Sequence, residues 1–509
     1  MTTARTWAVA LTGVVGHMVE VEADLSNQTP EFKIIGLPDK SLGEAVQRVH
    51  NACKNVGLPL PRRRLTVNLS PASLPKQGSA FDLGIAVAAL AAGGTVRGRS
   101  IAQTVHLGEL GLDGRLRPVT GVLPAVFAAM RAGFETVIVP HANEAEAMLV
   151  PGIDVRAATT LAQVALWHGA DVEVGDVEPV GSPGGIDEPA ESVDLADVVG
   201  QDTAVEALVV AAAGGHHMLL SGPPGAGKTM LARRLPGILP PLSDDEALEV
   251  ASIRSLTGES VRSLDLVPPL EAPHHSASVA ALVGGGSRAA RPGAIVRAHR
   301  GVLFLDEAAE FSRVALDSLR QPLEAGTIEV SRAGFTASYP ARFQLVLAMN
   351  PCPCGNHGVR GAECVCPSLA IRRYATRLSG PLRDRLDIEL QVARVSVARA
   401  VSGDRSTVTT AAARERVRAA RDRAAVRWRG TPWRCNGEIP GARLRQLDVR
   451  IDPQARAPLE RALERGALTL RGYDRVLRVA WTMADLAGVE RPGRDEIGGA
   501  LFLKRGFSS

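Results

Sequence analysis

A glycine-rich loop between an apolar strand and a helical run constrains this chain more than any other feature. Residues 222–229 follow the pattern G-x-x-x-x-G-K-[ST], in the order Gly222, Pro223, Pro224, Gly225, Ala226, Gly227, Lys228 and Thr229. In such a loop the backbone N–H groups and the helix N-terminus bind phosphate oxygens. We expect Lys228 to reach the β- and γ-phosphates and the Thr229 hydroxyl to ligate Mg²⁺. The motif therefore predicts a nucleoside triphosphate and Mg²⁺ as cofactors of an α/β fold.

Two further apolar runs end in polar side chains of the kind that complete such a site. Asp306 and Glu307 follow the run Val302–Leu305, and Asn350 follows the run Leu345–Met349. The carboxyl ends of parallel strands line the nucleotide crevice, so we expect Asp306 to hold Mg²⁺ and Glu307 to polarise the attacking water. Asn350 either positions that water and the γ-phosphate or is only a turn-forming residue.

The chain divides by pattern into four segments. Residues 1–171 alternate short β-type runs with helical runs, and residues 172–193 form an acidic linker rich in Gly, Pro and Ser. Residues 194–393 alternate buried strands with helices, as a parallel α/β sheet does, whereas residues 394–509 show helical periodicity only. The chain of 509 residues is 45% apolar and 22% charged, which excludes a mostly disordered protein or a disulfide scaffold.

Basic residues are concentrated in the last third of the chain. The net charge is only +4, but residues 371–509 contain 29 Arg and Lys against 16 Asp and Glu. This excess predicts an anionic partner, with the helical segment 414–423 as its candidate surface; the alternative is a solvated basic face. The longest nearly apolar run, Leu83–Val96, has 14 residues, so we expect no membrane segment and a cytoplasmic protein.

Four of the six cysteines lie close together in the sequence. They form two C-x-C pairs, Cys352 with Cys354 and Cys364 with Cys366. Four thiolates can enclose Zn²⁺ tetrahedrally, so structural zinc is one prediction and free or redox-active thiols are the other. The remaining two cysteines, Cys53 and Cys435, are predicted to be isolated packing residues.

Several motifs around this site resemble one family of ATPases. They are Pro273–Ser278, Gly284–Gly286, Tyr339–Gln344, Leu378–Pro381 and Asp384–Asp387. Together they resemble the YifB/ComM family of magnesium-chelatase-like AAA+ ATPases, and the resemblance covers nearly the whole chain. It implies an AAA+ P-loop core with a C-terminal helical lid, ATP and Mg²⁺ as cofactors, and a homo-oligomeric, hexameric ring. It further implies a branch-migration helicase or translocase of the ComM type acting on DNA; the alternative is a chelatase-like ATPase that remodels a protein partner.

The same resemblance assigns residues outside the glycine loop. Arg385 matches the arginine finger that reaches the neighbouring subunit's γ-phosphate, and Arg471 matches the second sensor on the helical domain. For either arginine, the alternative is a plain surface charge. The segment Val198–Gln201 resembles the one that contacts adenine. Residues 270–300 and the hairpin Ile328–Ala337 match the segments that face the central pore in relatives.

Within those segments, three basic side chains are candidates for phosphate contacts. They are His274, His275 and Arg332. For the two histidines, the alternative is an ordinary packing role.

The N-terminal segment resembles the Lon-protease fold, an α/β fold of the ribosomal S5 domain 2 type. The resemblance is carried by Lys76–Leu83, Gly108–Arg115 and Thr136–Pro140. The protease's nucleophilic serine would fall at Ala80, and no lysine stands where its partner would fall. A Ser/Lys dyad needs both groups, so we expect no peptidase activity; a nucleophile shifted to Ser79 is the alternative.

Overall fold

The first part of the computed structural model is a mixed sheet with helices. The described residues are 3–36, 40–76, 78–181, 193–285, 291–332, 335–359, 361–395, 406–448 and 451–504. Within them, seven strands pair in the order β3-β4-β2-β1-β5-β8-β9. The strands and helices up to residue 167 are β1 (Thr3–Thr12), β2 (Val15–Ser26), β3 (Glu31–Ile35), α1 (Lys40–Gly43), α2 (Ala45–Asn55), β4 (Arg64–Ser70), α3 (Asp82–Ala92), α4 (Gly98–Ile101), β5 (Thr104–His106), β6 (Glu109–Leu110), β7 (Leu116–Arg117), α5 (Val122–Arg131), β8 (Thr136–Pro140), α6 (Glu144–Ala147), β9 (Asp154–Ala158) and α7 (Leu161–Trp167).

This first sheet is held by alternating burial and by one fully buried helix. Side chains in β2 and β4 alternate between buried and more exposed positions, as expected for strands with one face on a core. The helix α3 is apolar on all sides and ten of its residues are buried, so it lies inside the unit rather than on its surface. Residues 182–192 of the predicted linker lie outside the described part of the chain, and the linker stays a prediction.

The middle of the chain builds a second sheet that is entirely parallel. Five of the described strands pair in the order β11-β14-β17-β10-β18. Its elements and insertions are α8 (Asp202–Gly214), β10 (Met218–Ser221), α9 (Lys228–Ile238), α10 (Asp244–Thr257), β11 (Leu270–Glu271), α11 (Val279–Val283), β12 (Gly284–Gly285), β13 (Arg291–Pro292), α12 (Ala294–Arg297), β14 (Val302–Leu305), α13 (Arg313–Asp317), α14 (Arg320–Ala325), β15 (Thr327–Arg332), β16 (Phe335–Pro340), β17 (Gln344–Met349), α15 (Ser368–Ala375), α16 (Gly380–Arg383) and β18 (Ile388–Gln391).

The last part of the described chain is helical, as its periodicity predicts. The helices are α17 (Thr410–Arg427), α18 (Gly441–Asp448), α19 (Pro453–Glu464), α20 (Leu470–Ala487) and α21 (Arg494–Lys504). Residues of α17, α20 and α21 share one apolar cluster with β10, β18 and α8. The helical part is therefore packed directly against the parallel sheet. These observations confirm the predicted fold class, an α/β core with a C-terminal helical lid and an α/β unit before it.

Candidate nucleotide site

The parallel sheet brings the predicted polar residues to one edge. Strand β17 pairs with β10 on one side and with β14 on the other. The glycine loop follows the carboxyl end of β10, Asp306 follows β14, and Asn350 follows β17. Because parallel strands end at the same edge, three segments that are distant in sequence meet there.

The shape of the glycine loop depends on residues without a Cβ. Gly225 and Gly227 have φ angles of +74° and +85°, a region that side-chain-bearing residues rarely adopt. A Cβ at Gly222 would lie 2.1 Å from the carbonyl oxygen of Val392, so β18 can approach only a glycine there. Gly227 is also the residue before α9, which places Lys228 and Thr229 in the first turn of that helix.

The ammonium of Lys228 is directed back into the loop. Its Nζ donates to the carbonyl oxygens of Gly222 at 2.7 Å and Pro223 at 3.0 Å, and to Asn350 Oδ1 at 3.1 Å. Burial lowers the pKa of this lysine, and the carboxylates of Asp306 and Glu307 oppose that shift. The glycine loop and Asn350, predicted separately, therefore meet at one cation.

A carboxylate and a hydroxyl meet beside this lysine. Thr229 Oγ1 donates to Asp306 Oδ2 at 2.6 Å, and the backbone N–H of Glu307 donates to Asp306 Oδ1 at 2.9 Å. Hydroxyl and carboxylate oxygens are the protein ligands that Mg²⁺ prefers, so the side chains present fit that ion. Glu307 itself has φ 50° and ψ 45°, the left-handed region.

The predicted adenine segment also contacts the glycine loop. Gln201 Nε2 donates to the carbonyl oxygens of Ala226 at 2.6 Å and Ala393 at 3.2 Å. Its Oε1 is buried, and within the described residues it has no hydrogen-bond partner. Gln201 therefore connects the start of α8 to both the loop and the end of β18.

The two predicted arginines lie at the opposite edge of the sheet. Arg385 precedes β18, whose first residue pairs with the first residue of β10, whereas the glycine loop follows the last residue of β10. Arg385 and Arg471 line one cleft of about 1060 Å³, and no residue of the glycine loop lines it among the described residues. A strand of four residues is about 13 Å long, so Arg385 does not reach the loop of its own chain in this conformation.

Arg385 is held by contacts that sequence reasoning does not find. It is buried, its Nη1 donates to the Pro381 carbonyl oxygen at 2.5 Å, and its Nη2 pairs with Glu324. Arg471, in contrast, is exposed at the start of α20. Glu324 belongs to no sequence motif. It contacts Arg385 only because α14, which carries Glu324, packs beside the segment that carries Arg385.

The four clustered cysteines come together as predicted for a metal site. The Sγ atoms of Cys352, Cys354, Cys364 and Cys366 all lie within 4.8 Å of one another. The Cys352 Sγ is 3.4 Å from that of Cys354 and 3.7 Å from that of Cys364. Four Zn–S bonds of about 2.3 Å in a tetrahedron give S···S distances of about 3.8 Å, so the arrangement fits zinc.

The two predicted packing cysteines are confirmed as such. Cys53 and Cys435 are buried, and burial raises the pKa of each thiol to about 12. Both thiols therefore stay protonated and unreactive near neutral pH.

The predicted pore segments are partly described. The hairpin is present as β15 and β16, and Thr327 pairs with Pro340 at its base. The side chain of Arg332 and residue Gly286 lie outside the described part of the chain. The other predicted pore segment, residues 270–300, contains the strand pair β12–β13, which begins directly after α11.

The basic helix α17 uses its arginines within the chain. Arg416 pairs with Glu206 at 2.8 Å, and Arg427 pairs with Asp485 at 2.9 Å. Arg414 and Arg421 donate to the carbonyl oxygens of Gly237 and Ala212. These four arginines therefore stabilise contacts of α17 with α8, α9 and α20. Arg418 is exposed, so a nucleic-acid surface and a solvated face both stay open as interpretations of segment 414–423.

In the N-terminal unit, Ser79 and Lys76 have different partners. The Ser79 hydroxyl donates to a Glu109 carboxylate oxygen, and Lys76 Nζ donates to the carbonyl oxygen of Pro71. The serine is thus oriented toward a carboxylate instead of the lysine that a Ser/Lys dyad requires. Among the helices that the structure describes, none is both long and apolar enough to cross a bilayer.

Comparison with known proteins covers nearly the whole chain. The family described as "Magnesium chelatase, subunit ChlI" matches residues 194–400, "Subunit ChlI of Mg-chelatase" matches residues 21–143, and "Magnesium chelatase, subunit ChlI C-terminal" matches residues 407–504. The competence protein ComM of Haemophilus influenzae is 40% identical over 504 residues, covering 98% of this chain and 97% of ComM.

Two further relatives have no stated activity. An uncharacterized protein of Mycobacterium tuberculosis is 49% identical over 508 residues, covering 99% of both chains. The uncharacterized protein YifB of Escherichia coli is 40% identical over 481 residues, covering 94% of this chain and 92% of YifB. These matches extend over nearly the whole chain and include the AAA+ core. The chain therefore belongs to the YifB/ComM family of magnesium-chelatase-like AAA+ proteins.

Proposed function

We propose that this protein hydrolyses ATP with Mg²⁺ and works as a ring-shaped motor on DNA. The observation that carries the ATPase proposal is the meeting of Lys228, Thr229, Asp306 and Asn350 at one edge of the sheet. Lys228 would exchange its carbonyl contacts for the β- and γ-phosphates, and Thr229 and Asp306 would hold Mg²⁺. When bound there, Mg²⁺ would supply positive charge that offsets the charge of the phosphates.

In this proposal the remaining polar residues act on water and on the γ-phosphate. Glu307 accepts the proton of the attacking water, since its carboxylate follows Asp306 and is not used by Thr229. Asn350 orients the water or the γ-phosphate through its amide, which already contacts Lys228.

The proposed ring follows from where the two arginines lie. Arg385 and Arg471 share a cleft at the sheet edge opposite the glycine loop, so each serves the nucleotide of a neighbouring subunit. Arg385 must then leave Glu324, and a guanidinium suits that exchange because it stays charged and presents several donors. A closed ring of identical subunits supplies such an interface at every site.

The DNA proposal is supported by the relative and by two segments of the parallel-sheet part. ComM, which aligns over 98% of this chain, is named a competence protein. The hairpin β15–β16 and the segment around α11 match those that face the pore in relatives, and phosphate contacts there are independent of base sequence. A second candidate function is an ATPase that remodels a protein partner. It is supported by the chelatase family matches over all three parts of the chain.

The deciding experiment measures ATP turnover with and without DNA. We expect turnover to rise with forked or four-way DNA, and the wild-type protein to move a mobile four-way junction with ATP. Lys228→Ala is the control and should do neither. DNA binding should weaken steeply with salt, as phosphate contacts do. ATP turnover without any DNA binding at low salt would favour the protein-remodelling candidate.

The cysteine cluster is proposed to hold a structural zinc ion. Its sulfur separations support this, and so does its position directly after Asn350. A Cβ at Gly355, between the two cysteine pairs, would lie 2.4 Å from Pro224 Cδ in the glycine loop. Zinc bound by the four thiolates would thus stiffen the segment that contacts the nucleotide site.

A further inference from the structure

A turn of the N-terminal unit is buried against the hairpin β15–β16. Strands β1 and β2 pair in antiparallel and are joined by a two-residue turn, Gly13 and Val14. Such turns normally lie at the surface, but Gly13 is buried. Its nearest neighbours belong to the hairpin, since a Cβ at Gly13 would lie 2.7 Å from the Ser338 carbonyl oxygen and 3.5 Å from Tyr339 Cε1. The turn therefore approaches the hairpin as closely as only a glycine allows.

The turn contributes a backbone constraint and an apolar contact. Gly13 has a φ of +63°, the left-handed conformation that two-residue hairpin turns require and that glycine adopts without strain. Val14 packs against the apolar cluster that also contains Ile328 and Tyr339, two buried side chains of the hairpin. Among the described strands, β15 and β16 pair only with each other, and a two-stranded hairpin is marginally stable by itself. Packing against the turn therefore helps to hold the hairpin in place.

The N-terminal unit is attached to the parallel-sheet part at a second place, which gives the turn a fixed base. The backbone N–H of Gly121, just before α5, donates to the Ser255 carbonyl oxygen near the end of α10 at 3.1 Å. Ala251 of α10 is buried in the same apolar cluster as Leu123 and Val126 of α5. Separation of the two parts would expose this cluster to water, so the contact resists it. A turn carried by a firmly attached unit can restrain the hairpin.

The hairpin leads to the nucleotide site through the strand that follows it. A short link joins the end of β16 at Pro340 to the start of β17 at Gln344. Strand β17 ends directly before Asn350, whose Oδ1 accepts from Lys228 Nζ. DNA bound to the hairpin would therefore act on the nucleotide site through one continuous stretch of chain.

We propose that the N-terminal unit positions the hairpin β15–β16, and that the turn of Gly13 and Val14 thereby sets how strongly DNA stimulates ATP turnover. The inference rests on the proposed function, in which the hairpin contacts DNA. Strand β17 is itself held between β10 and β14. Loosening of the hairpin therefore leaves Asn350 in place, and it changes the response to DNA while turnover without DNA stays the same.

The first test measures backbone hydrogen exchange of the full-length protein without nucleotide or DNA. In Gly13→Ala the added Cβ meets a backbone oxygen, which cannot swing aside as the end of a flexible side chain does, so the hairpin must shift. Exchange in residues 327–330 and 336–340 should become faster by about five- to tenfold, as expected when local opening becomes easier.

Gly133→Ala is the matched control for this substitution. Gly133 also belongs to the N-terminal unit and has a φ of +85°, so alanine there carries a similar backbone strain. No atom of the described residues outside its own chain neighbours lies within 4 Å of its Cβ position. Exchange in the hairpin should therefore match that of the wild-type protein.

The second test measures ATP turnover of the same proteins with Mg²⁺, with and without forked DNA. Gly13→Ala should lose most of the stimulation by DNA and keep the wild-type rate without DNA, whereas Gly133→Ala should keep both. Val14→Ser removes the apolar contact without adding a Cβ to the turn, and should reproduce both effects of Gly13→Ala. The test therefore does not depend on how well Gly13→Ala folds.

The outcomes separate this inference from the proposed function. Wild-type exchange of the hairpin in both Gly13→Ala and Val14→Ser would overturn the positioning role. Faster exchange together with full stimulation by DNA would overturn the link between the turn and DNA. If the wild-type protein shows no ATP turnover or no response to DNA, the proposed function fails, and the exchange measurement still decides whether the turn holds the hairpin.

Discussion

At the residue scale, the nucleotide site holds its own polar groups together before any ligand binds. Lys228 is satisfied by two loop carbonyl oxygens and Asn350, and Thr229 by Asp306. Buried polar groups without partners are costly, so these contacts stabilise the free loop. Phosphate and Mg²⁺ offer stronger, charge-assisted replacements for the same donors and acceptors.

Replacement of Glu307 by glutamine tests the division of roles at this site. Glu307→Gln should retain ATP binding while hydrolysis falls by about 10²-fold or more, because the amide cannot accept a proton from water. Nucleotide binding and turnover are measured on the same preparation. Lys228→Ala is the matched comparison and should lose binding as well. Unchanged turnover in Glu307→Gln would exclude it as the base.

A buried carboxylate close to Arg385 should matter for stability. Asp387 Oδ2 lies 3.0 Å from His216 Nδ1, and its Oδ1 lies 2.8 Å from Arg475 Nη1. Burial opposes its ionisation, but Arg475 and then His216 hold the pKa of Asp387 well below its ordinary value.

We therefore expect Asp387→Ala to lower the free energy of unfolding by about 3–5 kcal/mol, because it leaves the buried His216 and the half-buried Arg475 without their carboxylate partner. Urea denaturation measures the change. Glu415→Ala, which removes an exposed carboxylate 4.0 Å from Arg418, is the control and should shift stability little. Equal effects of the two substitutions would contradict the argument.

At the element scale, the order of the strands determines where the functional residues lie, and the helices pack around the sheet and stabilise it. The segment 414–423 of α17 is predicted to be either an anion-binding surface or a solvated face, and several arginines of this helix bind Glu206, Asp485 and backbone carbonyl oxygens. Charged side chains that lie between two packed elements have their hydrogen bonds satisfied there. A basic run in a helix therefore does not by itself identify a nucleic-acid surface.

At the same scale, we predict that the cysteine segment after β17 binds zinc. Protein purified without chelator should contain about one Zn²⁺ per chain by elemental analysis, since the four thiols already have near-tetrahedral spacing. The double substitution Cys354→Ser and Cys364→Ser should remove the metal. Cys435→Ser, in a buried thiol outside the cluster, should retain it. If the wild-type protein contains no metal, the four cysteines are free or redox-active thiols, and the zinc prediction is wrong.

At the scale of the whole molecule, the two halves of the proposed active site lie on opposite edges of one sheet. The glycine loop follows the carboxyl end of β10, and Arg385 precedes the amino end of β18. In the proposed ring, ATP is hydrolysed only where subunits join loop edge to arginine edge.

Mixing two inactive variants tests this arrangement. Lys228→Ala and Arg385→Ala should each abolish turnover, and an equal mixture should recover about a quarter of the wild-type rate, as random pairing of neighbours in a ring gives. The recovery is read as ATP turnover after mixing and reassembly. A mixture of Lys228→Ala with the double variant Lys228→Ala and Arg385→Ala should stay inactive. No recovery in the first mixture would contradict action between subunits.

The sequence alone predicts the local features of this protein well. The glycine loop, the acids after β14, the hairpin and the cysteine cluster are each encoded within a few consecutive residues. Such motifs depend only on the backbone conformations that glycine allows and on the reach of side chains that are adjacent in the sequence. The alternation of strands and helices likewise predicts the α/β class, because burial on a sheet requires it.

Only the tertiary structure decided which distant residues meet. Strand order puts His275 on Glu307, and the packing of α14 puts Glu324 on Arg385. Arg385 and Arg471 share a cleft away from the glycine loop for the same reason. Side-chain pairs between separate elements depend on the order and direction in which those elements pack, and no local pattern encodes that order.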